Sequence, residues 1–556
     1  MRPTTLGIVG LTCALSGCAD KPYNPNGPAV DPNAPVIHIT SPSRGTIAGD
    51  VQTVTVTGTA TDDVSVASVT VNDLPAQLAG DGTWSVTVPV VAGTNLLHAV
   101  AKDGSGNEGK VSRAVYAGPM SPIAMSVPSA ITTTLSAQTF AAIGKGAGNF
   151  ITGGDLASLL SADNPVVDVG GGPDCLYGQG SITSFTVGGA AISLVPQDGG
   201  LALDGELDNV DVGMHLDYAA ACISGSRDIT ISATHVSVKG NLAIGVASGA
   251  FSIGLDNPDV TLTGFDLELG GIPGAVVDLL DLNDAMGPIL GWATEKFVVP
   301  MLSSSLSSFA NTTQTVQVLN TMVDISVKPS QVTFSDQGGV LELDTSLRAH
   351  GDDMSPGFVD VANQLPAMDL SHGFQLAVAA NAANQLLASM WAAKGLDDTL
   401  DLTSGPYGDI GQLFDSVELA ASVPPFVDAS SGNGLVLTVG DLTASFKNGD
   451  QLATEVAINA QVDLKVENDQ TGALRFDVGT PTTYVDILDA SDGVEGANQL
   501  SNAQFEAITS FALSRIIAVG SGTVGAIPLP TVAGVSVTSL TIGEQTGYLV
   551  VDGQVQ

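Results

Sequence analysis

Apolar and polar residues alternate strictly along much of this chain. Between Val210 and Tyr218 every second side chain is apolar, and Val and Thr alternate between Val51 and Thr57. A period of two buries one face of a strand and leaves the other face in water. The pattern therefore predicts a mostly β chain with long antiparallel strands.

Residues 36–117 are predicted to form short strands separated by turns such as Asp62-Asp63, as in a small β-sandwich. The stretches Ile39–Pro42 and Val69–Asn72 resemble bacterial Ig-like repeat domains. That resemblance implies a spacer or a carbohydrate-adhesion module. We favour the spacer, because Trp84, the single tryptophan of this segment, is expected in the core.

Residues 120–556 carry one pattern twice. A helix opens each half, near Ile131–Ile143 and near Val378–Lys394, and a long run of strands follows it. Each half then ends in an apolar helical stretch, over Pro273–Phe309 and over Asn498–Val519. This repeated order indicates an internal duplication. The second late helix places a set of apolar residues on one face: Phe505, Ile508, Ala512, Ile516 and Val519.

Composition excludes some classes of protein. With 556 residues, 44% hydrophobic and only 13% charged, the chain is apolar enough to bury large cores and is not a disordered protein. The net charge of −40 excludes nucleic acid as an expected partner, because phosphate binding needs the opposite sign. An anionic membrane surface should also repel the body of the protein.

The N-terminus has the layout of a short signal peptide, with Met1-Arg2 followed by an apolar stretch from Leu6 to Leu15. Leu15-Ser16-Gly17-Cys18 resembles the bacterial lipobox, which implies that Cys18 carries a diacylglyceryl group and becomes the first residue. A plain secretory signal is the alternative. Ala19 favours a lipid anchor in the bacterial outer membrane, with the body facing the periplasm or the cell surface.

Two cysteines remain after processing, since Cys13 leaves with the signal peptide and Cys18 is the anchor. An oxidising compartment favours a disulfide between Cys175 and Cys222. Two buried free thiols are the alternative.

Six stretches, in their order along the chain, carry a family resemblance: Ile192–Pro196, Gly200–Leu203, Asn209–Val212, Leu370–Phe374, Gly525–Thr531 and Tyr548–Gly553. They resemble the lipid-transfer family of bactericidal/permeability-increasing protein, with its lipopolysaccharide-binding and cholesteryl-ester-transfer relatives, and the wider group of tubular lipid-binding domains. The resemblance implies two elongated barrels, each a twisted antiparallel sheet wrapped around a long helix, with an apolar pocket for acyl chains. The acidic charge and the positions of Cys175 and Cys222 depart from the family pattern.

The expected fold class is thus a combination of all-β and α+β parts. We expect a lipoprotein signal peptide over residues 1–17, a flexible tether over 18–35, an Ig-like β-sandwich over 36–117, a first tubular lipid-binding barrel over 120–325, a central connecting segment over 326–365 and a second barrel over 366–556.

The sequence contains no recognisable catalytic site. The six histidines, His38, His98, His215, His235, His350 and His372, are scattered without a zinc-binding spacing. Gly520–Gly525 satisfies a dinucleotide-binding fingerprint letter by letter but follows a predicted helix instead of a strand, and Asp489–Gly493 is interpreted as a loop. We therefore expect a protein that is not an enzyme and has no metal site and no cofactor. Weak calcium binding by the acidic surface is left open.

The favoured hypothesis is a membrane-anchored lipoprotein that binds, and by extension transfers, lipids or other hydrophobic small molecules. The alternative is a surface adhesion or structural lipoprotein that uses its Ig-like domain. Each predicted pocket residue has a competing interpretation as ordinary core. In the first half the predicted residues are Ile192, Leu194, Leu201, Leu203, Val276, Leu279, Leu280, Ile289 and Leu290. In the second half they are Leu386, Leu387, Met390, Trp391, Phe505, Ile508 and Ile516.

Overall fold

A computed structural model describes most of the chain from residue 31 onward. The described residues are 31–156, 158, 164–170, 175–268, 271–274, 276–277, 298–300, 302–304, 306–307, 312–351, 355–361, 363–371, 373–404, 410–429, 435–468, 474–488, 504–505, 508–514, 516–517, 537–545 and 547–555. The predicted signal peptide, Cys13, Cys18, His372, Val519 and the stretches 489–493 and 520–525 lie outside them.

The described chain is built mainly from strands, as its alternating pattern predicts. In chain order these are β1 Val36–Ser41, β2 Thr46–Gly49, β3 Thr53–Thr61, β4 Val66–Val71, β5 Leu74–Pro75, β6 Gln77–Leu78, β7 Thr83–Pro89, β8 Gly93–Asp103, β9 Glu108–Ala117, β10 Met120–Ser121, β11 Val127–Ser136, β12 Val167–Gly170, β13 Leu176–Gln197, β14 Gly200–Ala220, β15 Ile223–Ala247, β16 Ala250–Thr263, β17 Asp266–Glu268, β18 Thr312–Val318, β19 Thr321–Ser335, β20 Gly338–Ala349, β21 Phe358–Val359, β22 Phe374–Ala379, β23 Asp398–Asp401, β24 Ser416–Ala421, β25 Phe426–Asp428, β26 Leu435–Asn448, β27 Gln451–Asn468, β28 Leu474–Val478, β29 Thr482–Leu488, β30 Val537–Gln545 and β31 Tyr548–Val555. The helices described from end to end are α1 Ala137–Gly153, α2 Ala380–Ala392 and α3 Ile410–Leu413.

The N-terminal sandwich, residues 36–117, consists of two sheets. Their strand orders are β1-β3-β7-β6 and β2-β9-β8-β4-β5. Apolar side chains from both sheets, including Val56, Trp84 and Leu97, form one buried core. Trp84 is therefore a core residue here, as expected, and not an exposed platform.

A seven-stranded central sheet joins the two halves of the rest of the chain. Its order is β18-β19-β20-β11-β22-β31-β30. Strands β11 and β22 pair antiparallel at its middle, with Ile131 opposite Val378 and Thr133 opposite Leu376. Each of these strands runs directly into a helix, β11 into α1 and β22 into α2. The same order of strand, helix, meander and returning strands thus occurs twice.

Each half contributes a second sheet outside the central one. The first meander sheet has the order β12-β13-β14-β15-β16, with β17 paired to β15, and the second has β23-β24-β26-β27-β28, with β25 on β26 and β29 on β27. Helices pack against these sheets. A sheet wrapped around a single long helix, as predicted for each half, is not seen among the described residues.

The opening helices begin later than predicted. Ile131, expected at the start of a helix, lies in β11, because the run Ile131-Thr132-Thr133-Thr134 is β-branched and favours a strand. Helix α1 begins only after Ser136, whose hydroxyl accepts a hydrogen bond from the Thr139 N–H, and extends to Gly153. In the second half, Val378 lies in β22 and α2 begins at Ala380.

The segment 326–365, predicted to connect the halves, contains β20, β21 and part of β19. Two of these strands belong to the central sheet and β21 pairs with β10.

None of the described helices is both long enough and apolar enough to cross a bilayer.

The predicted disulfide is present. Cys175 precedes β13 and Cys222 lies between β14 and β15, and their Cα atoms are 3.9 Å apart. The neighbouring residues Leu176 and Ala220 are paired across β13 and β14, so the bond fastens the end of this hairpin.

We predict that the double variant Cys175→Ser/Cys222→Ser unfolds more readily than the wild type. The bond spans 47 positions, and a loop of that size stabilises by about 4 kcal/mol in the chain-entropy model. Urea unfolding at neutral pH measures the difference. Adding a reductant should bring the wild type down to the variant, and a variant as stable as the oxidised wild type would contradict the prediction.

Candidate functional site

The residues predicted for the first pocket lie between the first meander sheet and α1. Ile192 and Leu194 on β13 and Leu201 and Leu203 on β14 are all buried in one apolar cluster, and Leu194 pairs directly with Leu203. Val276 joins the same cluster. The structure therefore brings together all the described members of the predicted first-half set; Leu279, Leu280, Ile289 and Leu290 lie outside the described residues.

Two glycines let α1 lie directly on the backbone of β13. A Cβ at Gly144 would stand 2.5 Å from the carbonyl oxygen of Ile192, and one at Gly148 would stand 2.8 Å from that of Ala190. Any larger residue would push the helix away from the sheet. The four-residue spacing places both glycines on one face of the helix.

Several residues of the same buried cluster were not predicted from the sequence. The apolar face of α1 and the later helical residues of the first half are buried with the predicted set: Phe140, Ile143, Ala147, Ile151, Val298, Leu302 and Leu306. The signal was the spacing of three and four residues from Phe140 to Ile151, which continues beyond the predicted end of the opening helix at Ile143.

The second predicted pocket lies in the second half. Leu386, Leu387 and Met390 on α2 are buried in one cluster with Phe505, Ile508 and Ile516 of the late helix. Strand residues of the second meander sheet complete this cluster, among them Leu437 and Leu464. Trp391 is half-buried at its edge, and its indole N–H donates to the carbonyl oxygen of Ala421 at 2.8 Å.

The outer face of the first meander sheet is polar. His215 lies 2.6 Å from a carboxylate oxygen of Asp228, and His235 lies 2.8 Å from one of Asp208. The hydrogen bond with Asp228 is the main cause that raises the pKa of His215, and the bond with Asp208 does the same for the pKa of His235. Apolar residues thus face the helix while ionisable ones face water, as the strict alternation predicts.

The N-terminal sandwich is docked on the second half through a buried ion pair. Arg44, in the loop after β1, contacts Asp441 of β26 at 2.5 Å and also pairs with Asp486 of β29. Asp441 is fully buried, and its carboxylate also accepts a hydrogen bond from the Ala114 N–H at 3.1 Å. The side-chain oxygen of Asn459 accepts a hydrogen bond from the backbone N–H of Asp441 at 2.7 Å.

An apolar patch lies beside this ion pair. The Tyr116 ring packs edge-on against Phe426, with ring centres 6.4 Å apart, and both belong to a buried cluster with Ala114, Val359 and Val423. The Tyr116 hydroxyl accepts a hydrogen bond from the Val359 N–H at 2.9 Å, and burial raises the pKa of this tyrosine to about 12. The sandwich is therefore fastened to the second half by apolar contacts as well as by the ion pair.

An open cleft of about 400 Å³ lies along the same junction. One wall comes from Val91, Ala92 and Thr94 of the sandwich. The other wall is mixed but mostly polar, with Phe426, Asp428, Val436, Thr438, Gln461, Asp463, Thr480 and Thr482. The Thr94 hydroxyl donates to the carbonyl oxygen of Pro424 at 2.7 Å, which joins the sandwich to the second half beside the cleft. Such a lining suits a polar ligand better than an acyl chain.

Comparison with known proteins supports an Ig-like N-terminal domain. The family model described as glucodextranase, domain B, matches residues 35–118, which coincide with the N-terminal sandwich. No curated protein matches the chain significantly.

Some solved structures resemble larger parts of the chain. One titled as the crystal structure of lipopolysaccharide binding protein covers 77% of this chain and 99% of its own, with 14% identity and a TM-score of 0.36. P47 from Clostridium botulinum A2 covers 76% of this chain and 96% of its own, with 10% identity and a TM-score of 0.25. P47 of Clostridium botulinum E1 covers 78% and 100%, with 9% identity and a TM-score of 0.26. At these scores the likenesses are partial and establish neither the predicted family nor a function.

We predict that Arg44→Met destabilises the docked sandwich at neutral pH. Removing one partner of a buried ion pair leaves an uncompensated charge on Asp441 and should cost about 3 kcal/mol. Burial raises the pKa of Asp441, and Arg44 opposes that rise. Without Arg44, the Asp441 carboxylate binds a proton more tightly in the folded state than in the unfolded state. The lost stability should therefore return as pH falls through the folded-state pKa of Asp441.

Thermal unfolding between mildly acidic and neutral pH measures this effect. Lys110→Met is the matched control, because Lys110 pairs with Glu108 on the exposed surface of the same sandwich and should cost no more than about 1 kcal/mol. An Arg44→Met variant with the stability and pH profile of the control would show that the ion pair does not hold the junction.

Proposed function

We propose that this protein is a lipid-anchored lipoprotein of the bacterial outer membrane that binds lipids or other hydrophobic small molecules in the apolar interiors of its two halves. Exchange of those ligands with membranes extends the same activity. The proposal is of a carrier, not an enzyme, and it needs no cofactor. Its proposed membrane contact is the acyl group on Cys18, whose attachment rests on the lipobox.

The length of the first meander sheet is the observation that carries this proposal. Strands β13, β14 and β15 have 22, 21 and 25 residues, which at about 3.3 Å per residue makes an apolar face some 70 Å long. Helix α1 has 17 residues and covers about 26 Å of it. An apolar face much longer than its first helix suits an elongated ligand such as an acyl chain.

The resemblance of the motif order to the lipid-transfer family supports the same function. In this proposal each half forms a tubular barrel whose sheet wraps around its helices. Transfer is passive, because each methylene that leaves a membrane and enters a pocket exchanges one apolar environment for another. Burial of a methylene is worth about 0.8 kcal/mol in either place, so the exchange is close to thermoneutral and reversible.

The proposed anchor limits how far the body can move from the membrane. Cys18 precedes Asp31, the first described residue, by 13 positions. An extended chain of that length spans at most about 45 Å. The N-terminal sandwich would therefore stay close to the membrane that holds the anchor.

A surface adhesion or structural role is the second candidate. The open polar cleft between the N-terminal sandwich and the second half favours it, because threonine hydroxyls and carboxylates such as Asp428 and Asp463 are suited to a hydrated ligand. In that case the apolar interiors would be ordinary cores.

We predict that the mature protein begins with an acylated Cys18. Mass spectrometry of the N-terminal peptide from membranes identifies the modification. The variant Cys18→Ser should move to the soluble fraction, because lasting attachment needs the acyl chains. An unmodified peptide that begins elsewhere would contradict the anchor.

We predict that the Cys18→Ser protein, purified without detergent, retains stoichiometric lipid that organic extraction releases. The variant Leu194→Trp should lower uptake of a fluorescent acyl probe, because Leu194 faces the proposed pocket. Val195→Trp is the matched control, since Val195 is the next residue of β13 and is 54% exposed on the opposite face.

Thermal unfolding separates loss of a pocket from loss of the fold. A Leu194→Trp protein that stays folded and takes up less probe than the control supports the pocket. Absence of both extractable lipid and probe uptake in the parent protein would favour the adhesion role.

A further inference from the structure

Three carboxylates meet at one corner of the N-terminal sandwich. Asp31 precedes β1, whereas Asp62 and Asp63 follow β3. Because β1 and β3 are antiparallel, with Val36 opposite Thr61, the start of one strand and the end of the other share an edge. One oxygen atom from each of the three aspartates lies within 4.8 Å of the others.

Two of these carboxylates have a buried oxygen atom without a hydrogen-bond partner. Asp31 is only 8% exposed, and its Oδ2 atom has no partner among the described residues. The Oδ1 atom of Asp62 is buried in the same way. An unpaired buried carboxylate oxygen is costly unless a hydrogen-bond donor or a cation satisfies it, and two of the three clustered aspartates have one.

The second oxygen of each aspartate fixes the side chain in place. Asp31 Oδ1 accepts from the Asn33 N–H at 2.9 Å, and Asp63 Oδ2 accepts from the Asn33 side-chain amide at 2.9 Å. Asp62 Oδ2 accepts from the N–H groups of Val64 and Ser65 at 2.9 and 2.8 Å. The carboxylates are thus oriented by contacts that do not use the unpaired oxygens, as in protein metal sites.

The segment around Asp31 is held by the loop between β8 and β9. The Asn107 side-chain amide donates to the carbonyl oxygens of Asp31 and Asn33 at 2.8 and 2.9 Å and to Asp103 at 2.7 Å. Asp103 in turn accepts from the N–H groups of Ser105, Gly106 and Asn107. The corner is therefore preformed by neutral and backbone contacts. No ion pair among the described residues involves Asp31, Asp62 or Asp63.

We propose that Asp31, Asp62 and Asp63 bind one divalent cation, and that this cation is calcium. The ligands are all carboxylate oxygens on loops, which suit Ca²⁺ with its flexible coordination better than Mg²⁺ with its strict octahedron. The cluster offers no thiolate or imidazole, which zinc would favour. The cation would fasten Asp31, which precedes β1, to the loop that follows β3.

Calcium titration of the full-length Cys18→Ser protein by calorimetry tests the site, with thermal unfolding as a second measurement. The wild-type site should bind one Ca²⁺ per chain at moderate salt and unfold at a higher temperature with calcium. Asp63→Asn should weaken binding by about tenfold or more, because it removes one of three charged ligands. Asp31→Asn should weaken binding in the same way. Because Asp31 is buried, its substitution also affects the fold, so the exposed Asp63 gives the decisive variant.

Asp50→Asn is the matched control. Asp50 is exposed and precedes β3, at the end opposite Asp62 and Asp63, so this variant removes the same charge about 30 Å from the site. It should bind calcium like the wild type. Absence of saturable binding up to about 10 mM calcium, a range that covers weak extracellular sites, would overturn the proposal. Equal binding by Asp63→Asn and Asp50→Asn, or tighter binding of magnesium than of calcium, would overturn it as well.

Discussion

The antiparallel pairing of β11 with β22 is the contact on which the rest of the body depends. Both strands begin a half, and both continue without a loop into the helix that packs on the meander sheet of that half. A shift of this register by one residue would turn each strand over and move its apolar side chains to the opposite face of the sheet. The pairing therefore sets the position of α1 and α2 together, and with them both apolar interiors.

Close packing of α1 on β13 follows from that placement. Gly144 and Gly148 allow the helix backbone to approach the strand backbone, so the apolar face of the helix reaches the middle of the sheet. A helix face of small residues is compatible with two arrangements, a roomy interior or close backbone packing. At α1 the second applies, because the helix backbone at Gly144 and Gly148 lies directly against the β13 backbone.

The sequence predicted what depends on local pattern and missed what depends on distant partners. Alternation along Val210–Tyr218 predicted a strand with one buried face, and β14 has that face. The opening helix was placed too early because periodicity weighs apolar spacing and not the strand preference of three successive threonines after Ile131. The docking of the sandwich was not predictable in this way, since Arg44 and Asp441 are 397 positions apart and each looks like an ordinary surface charge in its own segment.

The same limit applied to the acidic corner. Asp62-Asp63 was correctly interpreted as a turn, but nothing in that turn indicates Asp31, which approaches only because β1 pairs with β3. The corner and the junction with the second half also differ in their chemistry. At the junction an arginine neutralises a buried aspartate from within the chain, whereas the corner contains three carboxylates and no cation from the described residues.

This difference has a mechanical consequence for the N-terminal sandwich. One site on it is fastened to the second half by a permanent charge of the protein, and that half is fastened to the first through the central sheet. At the other site, the acidic corner, the proposed positive charge comes from solution. If calcium binds there, the attachment of Asp31 to the sandwich depends on the calcium concentration of the surrounding medium. The attachment of the sandwich to the second half, and of the two halves to each other, does not, because groups of the protein make those contacts.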